Sequence, residues 1–160
     1  MASAGQRMAV SDERGRPSEG ALRDYVLWLF AARFADRRQS APSSPKARAE
    51  ATAAARSWLE TLDRGDYAAS LERAALIVRR ALTGQQWDRA VRAVRAPLGP
   101  CLSRRLGSLQ IVASPPCGPG GPYALIQFES DFGGRVNVAE TIATILGSDG
   151  RWRVAGYFVA

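Results

Sequence analysis

The hydrophobic period of the sequence changes once along the chain, near Cys101. Between about residues 49 and 98, apolar side chains recur every three or four residues, which is typical of amphipathic helices. Beyond Cys101 they alternate with polar side chains in four stretches separated by turn residues, which is typical of half-buried strands. Helices followed by sequential strands predict an α+β fold, with three helices packed on one face of a curved, four-stranded antiparallel meander.

Three helices are predicted in the first of these regions. The first begins at Ala49 and ends before Gly65, a residue suited to the left-handed conformation of a helix C-terminus. The second is predicted as one continuous helix over 67–82. The third opens at Thr83 and Gln86, which have the spacing of a capping box, in which each residue bonds the backbone of the other.

Four strands are predicted in the second region, within 102–113, 123–132, 135–146 and 149–160. In the second strand, alternate residues from Ala124 to Phe132 form the core face. Two successive glycines after it predict a two-residue hairpin turn at positions 133 and 134. Glycine in a strand interior often marks a bend, so we expect the last strand to bend at Gly156.

One carboxylate conflicts with the apolar pattern of the third strand. Glu140 shares a face with four apolar side chains: Val136, Val138, Ile142 and Leu146. Burying it unpaired would cost several kcal/mol, so we expect an ion pair, a bulge that exposes it, or a polar pocket. Arg105 and Arg153 are the predicted partners. In a pocket, Glu140 would be the general base, with a polar lining formed by Tyr67, Gln127 and Tyr157.

The composition limits the possible chemistry. The sequence contains no histidine, which excludes Cys/His zinc sites, Ser/His triads and histidine acid–base catalysis. Cys101 and Cys117 flank the first strand, about 33 Å apart if the chain is extended, so a disulfide between them is not expected. We therefore predict no catalytic residues, no metal ligands and no cofactor.

The charge of the chain is basic but diffuse. The formal net charge is +7, and the excess is spread over the first two thirds of the sequence. Arg89, Arg92 and Arg95 share one predicted helix face, which is the candidate surface for nucleic acid. A solvated helix face is the favoured interpretation, since neither an aromatic platform nor a glycine-rich loop accompanies these arginines.

The first 48 residues are predicted to be a separate tail. Residues 1–20 are polar and aperiodic, 21–36 predict a short amphipathic helix, and a proline- and serine-rich linker follows. The apolar run at 25–32 is too short to span a membrane, and no transmembrane segment is predicted. Arginines that follow this run argue against a signal peptide, so a cytoplasmic and an extracytoplasmic location both stay open.

The motifs also carry a family resemblance. In order and spacing, seven short segments resemble the bacterial family called domain of unknown function 4019: AARSWLETLDRGDYAAS (54–70), TGQQW (83–87), VRAPLG (94–99), SRRL (103–106), YALIQFESDF (123–132), AET (139–141) and DGRWRVAGYFV (149–159). The resemblance covers 49–160. It implies a single α+β domain similar to cystatin-like and nuclear-transport-factor-two-like folds, and members that are often exported, but it brings no activity or site residues.

Three functions follow from these observations. The favoured one is a non-catalytic binding or interaction domain, whose partner is another protein or a second copy of the chain. A small-molecule-binding protein or small enzyme that uses Glu140 in a pocket is the alternative. Nucleic-acid binding through the Arg89, Arg92 and Arg95 face is the weaker alternative.

Overall fold

The computed structural model describes residues 43–112 and 120–160. The predicted tail and amphipathic helix of 1–42, and Cys117, lie outside these residues. The elements follow in the order α1 (Pro45–Asp63), α2 (Tyr67–Glu72), α3 (Leu76–Ala81), α4 (Gly84–Arg95), β1 (Cys101–Val112), β2 (Tyr123–Phe132), β3 (Val138–Leu146) and β4 (Trp152–Val159). The strands pair antiparallel in sequence order, which confirms the predicted α+β meander.

Helix α1 begins four residues before the predicted start at Ala49. Ser44 is its N-cap and accepts a hydrogen bond from the backbone N–H of Ala47 at 3.1 Å. Pro45 is the first helical residue, where its missing N–H costs nothing and its fixed φ suits the helix. The end of the predicted linker is therefore helical. The C-terminal stop is confirmed, because Gly65 has φ of +75°.

The second predicted helix is wrong as one element, because α2 and α3 are separate. The chain turns at 73–75, and the backbone N–H of Ala75 donates to the carbonyl of Val154 on β4 at 2.7 Å. In a continuous helix that N–H would be used within the helix. Ile77 then packs on the opposite face of the sheet, in a cluster that includes Ala155. The prediction that all helices pack on one face is therefore wrong for α3.

The main core lies between α1, α4 and the face of the sheet that carries Phe128. Helix α1 contributes a stripe of buried residues that includes Trp58, whose indole N–H donates to the carbonyl of Ser70 at 2.8 Å. The predicted capping box of Thr83 and Gln86 is present at the start of α4. The Trp58 bond joins α1 to α2, whereas the capping box satisfies backbone groups at the N-terminus of α4.

The β2–β3 hairpin turns as predicted. Phe132 and Arg135 exchange backbone hydrogen bonds of 2.8 and 3.3 Å, which leaves Gly133 and Gly134 as the two turn residues. A Cβ on Gly134 would lie 2.7 Å from the carbonyl oxygen of Pro97, so the close approach of the loop after α4 requires glycine there.

Two strand details differ from the alternation of the sequence. Val136 precedes β3 and is 62% exposed, so its predicted place on the core face is wrong. Asn137 follows it with φ of +55°, and this left-handed residue breaks the alternation before β3 begins. Between β3 and β4, Ala143 pairs with Gly156 and Thr144 pairs with Val154. The skipped residue, Ala155, forms a bulge in β4 next to the predicted bend.

Candidate functional site

Glu140 lies at the centre of a buried polar cluster. Its side chain has no exposed surface. Oε1 accepts hydrogen bonds from Tyr157 Oη at 2.7 Å and Arg95 Nη1 at 3.1 Å, and Oε2 accepts from Arg104 Nε at 2.7 Å and Ser130 Oγ at 2.6 Å. An ionised carboxylate has about four acceptor positions, and all four of these are occupied.

Asp63, at the end of α1, completes the arrangement. Arg104 donates to both of its oxygens, at 2.7 and 3.1 Å, and Arg95 Nη2 donates to Oδ1. Two guanidinium groups and two carboxylates thus balance in charge and, with Ser130 and Tyr157, bridge α1, α4 and all four strands. We call this group the charged cluster: Asp63, Arg95, Arg104, Ser130, Glu140 and Tyr157.

The protonation of the charged cluster follows from these contacts. Burial alone would raise the pKa of Asp63, but hydrogen bonds and charges from Arg104 and Arg95 outweigh it and lower the pKa below 3.8. Burial, reinforced by the charge of Glu140, raises the pKa of Tyr157 well above its ordinary value. The phenol therefore stays a neutral donor, and Asp63 stays ionised at neutral pH.

The predicted partners of Glu140 are wrong. Arg105 pairs with Glu129, with Nε 2.8 Å from Oε2, and Arg153 pairs with Asp149, with Nη2 2.6 Å from Oδ2. On β1, alternate residues face opposite ways, so Arg105 points away from Glu140 while the neighbouring arginine points toward it. Arg153 faces the same way as Arg105, on the other side of the sheet from Glu140.

The predicted arginine face of α4 is also wrong. Arg95 is only 5% exposed and lies in the charged cluster, with Cζ 5.0 Å from the ring centroid of Phe132. The apolar side chain before Arg95, Val94, is 40% exposed. Arg92 is exposed but forms a bidentate pair with Asp88. The last turn of α4 docks against the sheet. There the guanidinium of Arg95 bonds Asp63 and Glu140, which replace the water molecules that would solvate an exposed arginine.

The four predicted lining residues do not form one pocket. The structure brings Glu140 and Tyr157 together, but the Tyr67 ring packs beneath Arg92, 5.1 Å from its Cζ. Gln127 pairs in register with Thr141, on the face of the sheet opposite Glu140. Sequence reasoning missed Asp63 and Arg104 as parts of the cluster. Ser130 carried a signal, since it is a polar residue on the core face of β2, as Glu140 is on β3.

A groove of about 470 Å³ runs between α1 and β1, and Glu140 is not part of it. We call it the α1–β1 groove and define it by its lining: Arg48, Ala49, Thr52, Ala53, Arg56, Leu106 and Leu109. Arg48 Nη2 donates to the backbone carbonyl of Leu109 at 3.3 Å, and Arg56 Cζ lies 5.0 Å from the Phe128 ring centroid. Neither arginine forms an ion pair with any carboxylate of the described residues.

Two other pockets of the described residues are weaker candidates for a binding site. A polar pocket of about 220 Å³ at the ends of β1 and β2 is lined by groups that satisfy each other, such as Ser103 with Asp131 at 3.1 Å. A pocket of about 520 Å³ beside α3 includes Gly120, at the border of the undescribed residues 113–119. Of these three pockets, the α1–β1 groove is the one with two arginines that form no ion pair among the described residues.

The described residues offer neither a metal site nor a membrane-spanning helix. The described ranges hold no group of three or more Cys, Asp or Glu side chains placed to bind a metal ion. No helix in these ranges is long and apolar enough to cross a membrane.

Helices followed by an antiparallel meander, with a charge-balanced cluster between them, define a small α+β domain. Residues 54–157 match the family described as protein of unknown function (DUF4019), and the chain belongs to this family. The resemblance inferred from the seven segments is thereby confirmed. Comparisons with curated proteins and with solved structures gave no match. The similarity to cystatin-like and nuclear-transport-factor-two-like folds stays a prediction.

Proposed function

We propose that this domain is a non-catalytic interaction module that binds its partner in the α1–β1 groove. The observation that carries the proposal is a pair of guanidinium groups, on Arg48 and Arg56, that lie beside exposed apolar surface and form no ion pair with a carboxylate of the described residues. Leu106 is 44% exposed at the floor of the groove. Arginine next to an apolar surface is a composition typical of protein interfaces.

The state of the charged cluster supports a role without catalysis. Glu140 is the residue that sequence reasoning favoured as a general base, and its four acceptor positions are filled by neighbouring donors. A base must offer a free lone pair within hydrogen-bond reach of its substrate. The cluster instead fastens α1 and α4 to the sheet, which is a stabilising role.

The shape of the groove suits an extended partner. Its volume of about 470 Å³ is widely open to solvent, unlike the enclosed cavities that hold small molecules. Ala49 and Ala53 keep the helix wall low, so the groove is open along its length. A partner could therefore enter from the side without any rearrangement of the fold.

Site-specific photo-crosslinking in the host organism tests this function. A benzophenone amino acid replaces Ala53, an exposed residue of the groove, in the full chain. The matched control replaces Ala68, an exposed alanine on α2 outside the groove. We expect irradiation to give a discrete higher-mass adduct from position 53 and none from position 68.

Three results would contradict the proposal. The absence of an adduct from position 53 at native expression level would argue against a partner in the groove. Adducts of equal yield from positions 53 and 68 would indicate chance collisions rather than a binding site. An adduct that persists when Arg48 and Arg56 are both changed to alanine would show that these arginines do not contribute to binding.

A further inference from the structure

The two edges of the sheet differ in how their backbone groups are used. At the β4 edge, the N–H of Ala75 donates to the carbonyl of Val154. At the β1 edge, the described residues supply a single outside donor, Arg48, which bonds the carbonyl of Leu109. Unpaired edge strands readily pair with an added strand, and β1, with twelve residues, is the longest strand of the sheet.

The contact from Arg48 reveals the direction of the edge. Since the Leu109 carbonyl accepts a donor from outside the sheet, the backbone groups of Leu109 face outward. Backbone direction alternates along a strand, so Ile111 faces outward as well. A strand lying about 4.8 Å beyond β1 would place its own N–H where the Arg48 guanidinium now donates. Displaced from Leu109, Arg48 would be free to bind a carboxylate.

The spacing of the two arginines matches an extended chain. Arg48 and Arg56 are eight residues apart on α1, which separates their Cα atoms by about 12 Å along the helix axis. In an extended chain, residues four positions apart are separated by about 13 Å and point to the same face. Arg48 contacts Leu109, while Arg56 lies over Phe128, whose register partner is Leu106, so α1 follows β1 along this stretch.

Resting on the proposed function, we propose that the occupant of the groove is an extended acidic segment of another protein. It adds to the β1 edge as a fifth strand and presents two carboxylates, four residues apart, to Arg48 and Arg56. The single side chain between them on that face packs on Leu106 and Leu109.

Two other occupants fit less well. A second copy of the chain would bring its own β1, whose sequence CLSRRLGSLQIV contains Arg104 and Arg105 but no carboxylate to pair with the groove. Single-stranded nucleic acid binds through aromatic platforms as well as positive charge, and the lining of the groove contains no aromatic side chain.

The test uses the full chain and labelled peptides about ten residues long, built from threonine and valine with two glutamates. One peptide has its glutamates four residues apart, and an isomer of the same composition has them three apart, on opposite faces. We expect the first to bind about three-fold more tightly in fluorescence polarisation at low salt, the effect of one additional charge contact, since the isomer keeps one glutamate on the face of the arginines. N-methylation of alternate amides of the first peptide should abolish binding in one register only, because a strand offers every second N–H to its neighbour.

Paired variants localise the effect. Changing both Arg48 and Arg56 to alanine should remove the preference between the isomers, while changing Arg79 and Arg80 on α3 to alanine should preserve it. The inference is wrong if the two isomers bind equally, or if methylation in both registers has no effect. It is also wrong if a single-stranded oligonucleotide competes with the peptide at the groove. A chain that elutes alone as a dimer, which the Arg48 and Arg56 variants dissociate, would likewise overturn it. If a protein crosslinks at position 53 but neither peptide binds, the interaction function is supported and the strand addition is wrong.

Discussion

Helix α1 contributes to two regions that use the same residue types in opposite ways. At its C-terminal end, Asp63 lies in the charged cluster, where two arginines are buried and meet two carboxylates. Nearer its N-terminus and in its middle, Arg48 and Arg56 line an open groove and meet no carboxylate among the described residues. Burial of a charge requires a partner, whereas an exposed charge can be left free for a ligand. The difference separates the arginines that maintain the fold from those available for recognition.

The largest effect is expected from Glu140→Gln. The substitution removes the carboxylate charge that two buried guanidinium groups share, and breaking a buried pair in this way costs about 3–5 kcal/mol. Urea unfolding measures the change. The matched control is Glu129→Gln, which breaks the exposed pair with Arg105 and should cost less than about 1 kcal/mol. Equal losses in the two variants would contradict the distinction between buried and exposed charges.

A smaller loss is expected from Tyr157→Phe. The ring and its edge contact with Trp58 remain, but the hydroxyl that donates to Glu140 and accepts from Arg95 is lost. Leaving a buried acceptor unsatisfied costs about 1–3 kcal/mol. Tyr67→Phe, outside the cluster, is the control for thermal and urea unfolding. An unchanged unfolding midpoint for Tyr157→Phe would indicate that the hydroxyl contributes nothing to the cluster.

The charged cluster should also determine how the stability of the fold depends on pH. Because the pKa of Asp63 is lowered on folding, its contribution is present above pH 3.8 and is lost as the pH falls below about 4. The pKa of Tyr157 is raised on folding, so its contribution is present below pH 10 and is lost as the pH rises beyond about 10. With no histidine in the sequence, we expect a flat plateau between about pH 5 and pH 9.

Thermal unfolding across the pH range measures this profile. Asp63→Asn should weaken the dependence on acid, and Tyr157→Phe should weaken the dependence on alkali while leaving the acid limb in place. A transition near pH 6.5 would contradict the profile, since the sequence contains no histidine to produce it.

The smallest effect is expected in the groove. Arg56→Met keeps most of the apolar stem and loses only an exposed charge over Phe128, so the free energy of unfolding should change by less than about 1 kcal/mol. Arg95→Met, the same substitution in the charged cluster, should instead resemble Glu140→Gln. Similar stability losses for Arg56→Met and Arg95→Met would contradict the contrast between the groove and the charged cluster.

Local pattern predicted much of this fold. The capping box at Thr83, the core face of β2 and the two-glycine turn all depend on neighbours within a few residues, and each is present. Glu140 also stood out as a polar residue on an apolar face, which predicted an ion pair, a bulge that exposes it or a polar pocket. Its real partners came from a helix and a strand far away in the sequence.

Errors arose where distant elements decide the outcome. Ala75 ends the predicted second helix because β4 offers it a carbonyl acceptor, and Val136 is exposed because a left-handed Asn137 follows it. Arg95 follows the period of a solvated face, yet the docking of α4 brings it between Asp63 and Glu140. A helical wheel describes only one helix and carries no information about such partners.

The sequence by itself determined the order of helices and strands, the meander, the family and the oddity of Glu140, because these depend on local periodicity and turn chemistry. Only the tertiary structure decided which arginines are buried and which carboxylates they meet. A charge is stabilised by whatever lies within a few ångströms of it, and long-range packing alone sets those distances.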